Sequence, residues 1–497
     1  MKRKWMWALG LLAVLCLIAV PVSAAVMQAM TVTSDIEPVL ANVGSYYGVC
    51  PQPYTNTFYA QGRNWLFYLT EGEASDLVYT SAEPGEEFDS PTTVAEDCGL
   101  YAVEFSVWYD SDTGYVHYAR HDMAADPDEV VYRMGTPSSD GTITWAAVEQ
   151  TVSTVPSDLL TWRTTVTVDE NGYPWVAWID SDNVTEDRGV VFVRGSATND
   201  GTWTTNATRS SDNISFGINH HAWFVQLTPV GTEADVVELE WSSSNTSDDN
   251  CGLYARQFHM DTNWGDTEIV AAEGYMSFDR PDGFDFYDLG SSMWAVYTNN
   301  LGDVMCRARS SIQTWDECAA AEAIKEGDAI SLPTISGYEN VGLGEDLLCI
   351  VNLDYDTLYY SIHSFGDDID EWSTFVAIWS AGSDNITRHN AAYKYTSPIG
   401  FSWQYTDVSD TPDSDTIMFW WLDQDEGLGY YYSADDAIAD NAVWNVVGIL
   451  PYVFLSITLV MSIAFMVGGA PIAGLILLVI TMVIGIVGTG LIQGLIP

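Results

Sequence analysis

The chain has 497 residues, with 69 acidic against 17 basic ones and a formal net charge of −52. A polyanion of this kind offers no phosphate-binding surface, which excludes a nucleic-acid partner, and it is repelled by anionic lipid headgroups. Disorder is excluded too, because 47% of the residues are hydrophobic and 20 are Trp, enough for a large aromatic core.

The N-terminus reads as an export signal over residues 1–24. Lys2, Arg3 and Lys4 are followed by an apolar run from Trp5 to Val20 and then by Pro21-Val22-Ser23-Ala24. Residues 25–42 form a short segment, of which 27–36 is placed to close the domain that follows. Beyond the signal the chain keeps two lysines, Lys325 and Lys394. A strongly acidic skin so poor in lysine keeps a protein soluble in high salt. Without Cys16 of the signal, six cysteines remain, an even number that suggests disulfides in an exported chain. The pairings favoured are Cys50–Cys98 and Cys306–Cys318. Asn183, Asn206, Asn213, Asn245 and Asn385 stand in glycosylation sequons.

Residues 43–445 repeat one pattern: an apolar strand, a polar turn, a second strand rich in Tyr, a loop and a Trp-led strand. The hairpins fall at 65–83, 102–122, 174–197, a looser copy ending in 251–259, then 292–311, 346–365 and 416–436. Their second strands bring Tyr79, Tyr118, Phe192, Tyr254, Cys306, Tyr360 and Tyr431 into register, and Trp145, Trp203, Trp264, Trp315, Trp372 and Trp444 follow. A further strand precedes each hairpin, as at 164–169, giving four strands per unit. Four-stranded units at this spacing predict an all-β fold, a β-propeller of seven blades, or six if the short first unit is shared.

Two segments, SSDGTITW at 138–145 and TNDGTW at 198–203, keep Asp-Gly and Trp. They resemble the Asp-box of sialidase-like propellers, which reads roughly S-x-D-x-G-x-T-W. As architecture the resemblance spans most of the chain. It implies a glycan-related role and a site where the loops meet around the central channel.

Few bases are available to such a site. The segments entering the innermost strands hold Arg163, His220, His221, Arg280, Arg388 and His389, a candidate anion- or ligand-binding set. Guanidinium forks match carboxylates, and the sialidase resemblance implies three arginines gripping an acidic sugar. It also implies a proton donor and a Tyr nucleophile, with Asp279, Asp282 and Asp285 beside Arg280 and Tyr393 and Tyr395 after Arg388 as candidates. Near the start of the first unit only Arg63 is present. Asp-rich turns carry Asp110 and Asp112, Asp354 and Asp356, and Asp423 and Asp425. Alternating carboxylates suit Ca²⁺, and tight turns also favour Asp. No motif requires a cofactor.

The last charged residue is Asp440, and Val446 to Pro497 carry no charge. One helix of that length would span about 78 Å, against a bilayer core of about 30 Å. Gly468-Gly469-Ala470-Pro471 therefore separates two transmembrane helices, 446–467 and 472–496. The expectation is an exported propeller, anchored in a cell or viral envelope membrane, that binds a glycan or a surface protein. The alternatives are a sialidase-like glycoside hydrolase and a structural envelope protein.

Overall fold

A computed structural model describes residues 36–43 and, with interruptions of up to seven residues, 55–422. The expected signal peptide and both expected membrane helices lie outside these residues, as do Cys50, Asp279, Arg280, Asp354, Asp423, Asp425, Tyr431 and Trp444. No helix long and apolar enough to cross a membrane occurs among the described residues.

The fold is all-β, a seven-bladed propeller. From the centre outward, blade 1 is Thr57–Ala60, Arg63–Leu69, Leu77–Ala82 and Thr92–Ala95. Blade 2 is Phe105–Asp110, Tyr115–Asp122 and Glu129–Pro137, with Ile143–Trp145 and Gln150–Thr154 sharing the outer position. Blade 3 is Leu159–Val168, Pro174–Asp182, Val190–Gly195 and Ser211–Ile214. Blade 4 is His220–Pro229, Asp235–Asn245 and Cys251–His259, with Asn263–Trp264 and Glu268–Met276 outside. Blade 5 is Phe284–Asp288, Ser292–Thr298, Val304–Ser310 and Glu322–Lys325. Blade 6 is Ser331–Asn340, Gly344–Leu353, Thr357–His363 and Val376–Ser380. Blade 7 is Asn385–Ala391, Ile399–Asp407 and Ser414–Leu422, and its outermost strand is Ile36–Val43 from the N-terminal side. Each innermost strand touches the next, and the ring closes between blades 7 and 1.

Each blade is covered on both faces by its neighbours, and the strand sequences follow from that. Arg63–Leu69 is buried at every position, so it reads as a continuous run and not as an alternating one. The outer strands meet solvent, as at Thr92–Ala95, where no position is fully buried. Trp65, Trp175, Trp241 and Trp403 are fully buried between blades. The Trp after the third strand also packs inward. Trp145 meets Tyr118 edge-on at 5.1 Å, Trp203 lies 5.5 Å from Tyr132, and Trp315 meets Phe286 edge-on at 5.8 Å. Trp203 and Trp315 lie outside strands, so these residues mark a packing position more than a strand.

The repeat register holds in five blades and slips in two. The hairpins read at 65–83, 174–197, 251–259, 292–311 and 346–365 fall on second and third strands. In blade 2 the 102–122 hairpin is the first and second strands, so Tyr118 sits one strand inside its expected place. In blade 7, Ser414–Leu422 is the third strand and not the second. Adjacent hairpins of an antiparallel meander share one polarity pattern, so periodicity alone does not say which pair of strands it marks. The closing strand is Ile36–Val43, later in the chain than the 27–36 read from the sequence.

The disulfide pairings are corrected. Cys98, Cys251, Cys306, Cys318 and Cys349 are free thiols. Cys306 is buried in the core shared by blades 5 and 6, whereas Cys318 packs against a different cluster and donates to the Trp315 carbonyl at 3.3 Å. The two thiols therefore belong to different sides of one blade. Cys98, expected to pair with Cys50, instead donates to the Ala95 carbonyl at 3.5 Å.

The ring is held shut by pairing from Ile36↔Trp420 to Val43↔Asp415. Removing residues 36–43 would bare the Ser414–Leu422 edge. A chain lacking them is expected to unfold roughly 5 °C or more below the full chain by calorimetry and to aggregate as it does.

Candidate functional site

All seven innermost strands run the same way, and their C-terminal ends form one rim, here the exit face. A cleft of about 540 Å³ opens there, lined by Tyr59, Trp108, Tyr109, Glu170, Asp288 and Tyr393 among others. Its floor is made by an irregularity in blade 7. After Ala391 the chain does not turn straight back, because Lys394–Tyr395 first pairs in parallel with Gly337–Tyr338 of the innermost strand of blade 6. The segment Ala392–Tyr395 is thus a strap across the end of the channel.

Tyr393 is the centre of the strap. Its ring lies 4.4 Å from Tyr287 of blade 5 and 4.5 Å from Trp108 of blade 2. Its hydroxyl accepts from the Asp288 amide at 3.0 Å, and its carbonyl accepts from the Gly337 amide at 2.9 Å. Gly337 has to lack a side chain, since a Cβ there would collide with the Tyr287 hydroxyl. Tyr395 pins the other end, accepting from the Ala392 amide at 2.8 Å and donating to the Gly400 carbonyl. The Tyr287 hydroxyl donates to Glu345, which also pairs with Lys394 at 3.1 Å.

The rim carboxylates come from the turns that end the innermost strands. Asp110 accepts from the Asp112 amide at 3.1 Å and the Thr113 hydroxyl at 2.5 Å. Asp169 accepts from Asn171, Tyr173 and Trp175 of its own turn. Asp288 accepts from the Gly290 amide at 2.9 Å and reaches blade 4 to accept from Gly231 at 2.6 Å. Burial raises its carboxyl to about 6. A Cβ on Gly231 would sit 3.1 Å from Glu170 Oε1 and 3.3 Å from Asp288 Oδ2, so these two carboxylates flank one backbone position. The lining holds six acids, and its single cation, Lys394, is already paired.

Of the residues singled out from sequence, Tyr393, Asp110 and Asp112 line this cleft. Burial first, then Asp288, pushes the Tyr393 phenol well up, and burial does the same to Tyr395, so both are neutral at ordinary pH. Asp285 lies within the ring of innermost strands. It accepts from Gln226 at 2.7 Å, the Phe286 amide at 2.9 Å and the Ile335 amide at 3.0 Å, and burial raises it to about 7. Asp282 is buried at the start of blade 5. Arg163 has a φ of 62° at a bulge in blade 3, with its guanidinium 3.8 Å from the Phe224 ring centre. His220 and His221 open the innermost strand of blade 4, opposite Asn245 and Ser244. Arg388 follows a bulge in blade 7, and His389 beside it is buried, which lowers its imidazole to about 3. Arg63 is committed to Asp89 and Glu83. Asp356 is exposed in a hairpin turn. No group of three or more His, Cys, Asp or Glu that could hold a metal occurs among the described residues.

Trp108, Glu170, Tyr287, Asp288 and Glu345 also line the cleft and belong to no motif of the sequence. One signal for them was present: Lys394 is one of two lysines after the N-terminus, and it stands beside Tyr393.

No family model matches the chain, and no curated protein sequence matches it. Solved structures do. An ulvan lyase of a new polysaccharide lyase family is similar at a TM-score of 0.52 and 11% identity, over 78% of this chain and 96% of that one. The BP39L lectin from Burkholderia pseudomallei is similar at a TM-score of 0.52 and 9% identity, over 73% of this chain and 94% of that one. At these identities the likeness is one of fold.

The buried groups give opposite pH dependences. Asp288 in the folded chain holds its proton up to about pH 6, whereas in the unfolded chain it releases it near pH 4. Its contribution to stability is therefore lost as pH rises from about 4 to about 6. Relative to Asp288→Asn, the wild type should lose about 2–3 kcal/mol over that window in urea titrations. His389, lowered to about 3, has the reverse sign. Relative to His389→Gln, the wild type should lose stability as pH falls from about 6.5 toward 3.

Proposed function

We propose that the chain is a glycan-binding propeller displayed on a cell or virion surface, exported by residues 1–24 and tethered by 446–497, with its ligand in the exit-face cleft. The observation that carries this reading is the composition of that cleft. Tyr59, Trp108 and Tyr109 line it together with Asp112, Glu170 and Asp288. Aromatic faces suit the C–H faces of a sugar, and carboxylates accept from its hydroxyls in strong charge-assisted bonds. The similarity in fold to a lectin and to a polysaccharide lyase is consistent with such a ligand.

The electrostatics select among sugars. With six acids in the lining and Lys394 held by Glu345, a uronate or sialate would be repelled. An uncharged saccharide is the better fit. The reading as an acidic-sugar hydrolase draws less support, since neither Arg163 nor Arg388 lines the cleft.

The test is binding of the purified chain to a panel of neutral and acidic oligosaccharides. Neutral ones are expected to bind, and Tyr109→Ala to weaken them about tenfold, the scale of one aromatic contact. Folded protein that holds no neutral glycan would reject the proposal. Preference for acidic sugars would move the site away from this cleft.

A further inference from the structure

The seam between blades 4 and 5 is polar where it nears the central ring. Gln226 is paired with Glu240, and Thr228 with Glu238, in the first two strands of blade 4. Glu238, Glu240 and Ser242 alternate along one strand and so share a face with Gln226 and Thr228. The residues between them, Val225, Leu227, Leu239 and Trp241, enter an apolar cluster on the other face.

Most of the charge in this seam is accounted for. Glu238 pairs with Arg309 and accepts from Trp315 Nε1 at 2.8 Å. Asp285 has three N–H donors. Glu240 is different. It is 0% exposed, and neither carboxylate oxygen has a hydrogen-bond partner among the described residues. The Thr228 hydroxyl eases the charge without a bond of full geometry, and burial with Glu238 alongside pushes the carboxyl well above its ordinary range. Gln226 Oε1, Thr228 Oγ1 and Ser242 Oγ are buried without partners on the same face. The Gln226 amide orientation is set by its bond to Asp285, which leaves Oε1 as the free end.

Buried oxygens left in this state have given up their hydration without a replacement partner. Water satisfies hydroxyls but does not cancel a carboxylate. We propose that the inner seam between blades 4 and 5 binds one monovalent alkali cation, held by the Glu240 carboxylate with Gln226 Oε1 and the Thr228 and Ser242 hydroxyls. All four donors are hard oxygens, which excludes the softer transition metals as preferred occupants. A single carboxylate balances a single charge, whereas Ca²⁺ sites draw on several.

The test is thermal unfolding of the full chain at pH 8, with choline chloride replaced by KCl or NaCl at constant ionic strength. The midpoint should rise by about 2 °C or more in the alkali salt, and Glu240→Gln should lose most of that increment. Thallium(I) soaked into crystals of the wild type should give an anomalous peak at Glu240. Equal midpoints in choline and alkali salts would overturn the proposal, leaving a proton on Glu240. Equal alkali increments in wild type and Glu240→Gln would overturn it too, since they would report only surface screening. A response to Ca²⁺ alone would overturn the choice of ion. If Glu240→Gln does not fold, the thallium experiment decides, and no peak at Glu240 rejects the site.

Discussion

A four-stranded blade has two apolar faces and cannot cover either alone, and the rest of this structure depends on that constraint. Each sheet must lie between two others, so the arrangement has no end until it becomes a ring. Closure falls to blade 7, which takes Ile36–Val43 from the other end of the chain. Sequence-distant contact of this kind is slow to form and stabilising once formed. It also explains why the second strands carry the heaviest residues, such as Trp65, Trp175, Trp241 and Trp403. They lie furthest from both the narrow centre and the solvent.

Ring geometry leaves a channel at the centre, and this chain uses its own backbone to close one end. The strap at Ala392–Tyr395 borrows a parallel partner from blade 6 and inserts Tyr393 against rings from blades 2 and 5. The cleft above it is therefore walled by several blades at once, and its carboxylates come from turns whose Asp residues are already needed to shape the backbone. Asp288 serves both ends, capping its own turn and tying blade 4 to blade 5.

The propeller was legible in the sequence because the hairpins repeat and each blade needs its own Trp and Tyr. Blade boundaries were less so. Tyr118 and the 414–422 strand came out one place off, since a meander gives every neighbouring pair of strands the same pattern. The site was legible only in part. Tyr393 was singled out for its nearness to Arg388, yet it lines the cleft because the chain there leaves the ordinary turn, and no periodicity encodes a strap. Asp110 and Asp112 were visible as a turn. That their turn shares a rim with Glu170 and Asp288 depends on the ring and not on local sequence.

The scarcity of bases sharpens every buried charge. A chain with 17 bases has few guanidinium groups to spend on its interior. It places Arg309 at the blade 4–5 seam, almost wholly buried, against Glu238. Breaking such a pair by removing one partner costs about 3–5 kcal/mol, because the other charge is stranded. The next carboxylate along the same face, Glu240, meets the same desolvation without an arginine of its own. The backbone amides of blades 5 and 6 solve the problem for Asp285, but Glu240 projects from a second strand whose amides are engaged in the sheet. Neutralisation there has to come from outside the polypeptide, by a proton or a cation, and the unpartnered oxygens of Gln226, Thr228 and Ser242 on the same face are the kind of neutral donor a cation's shell takes.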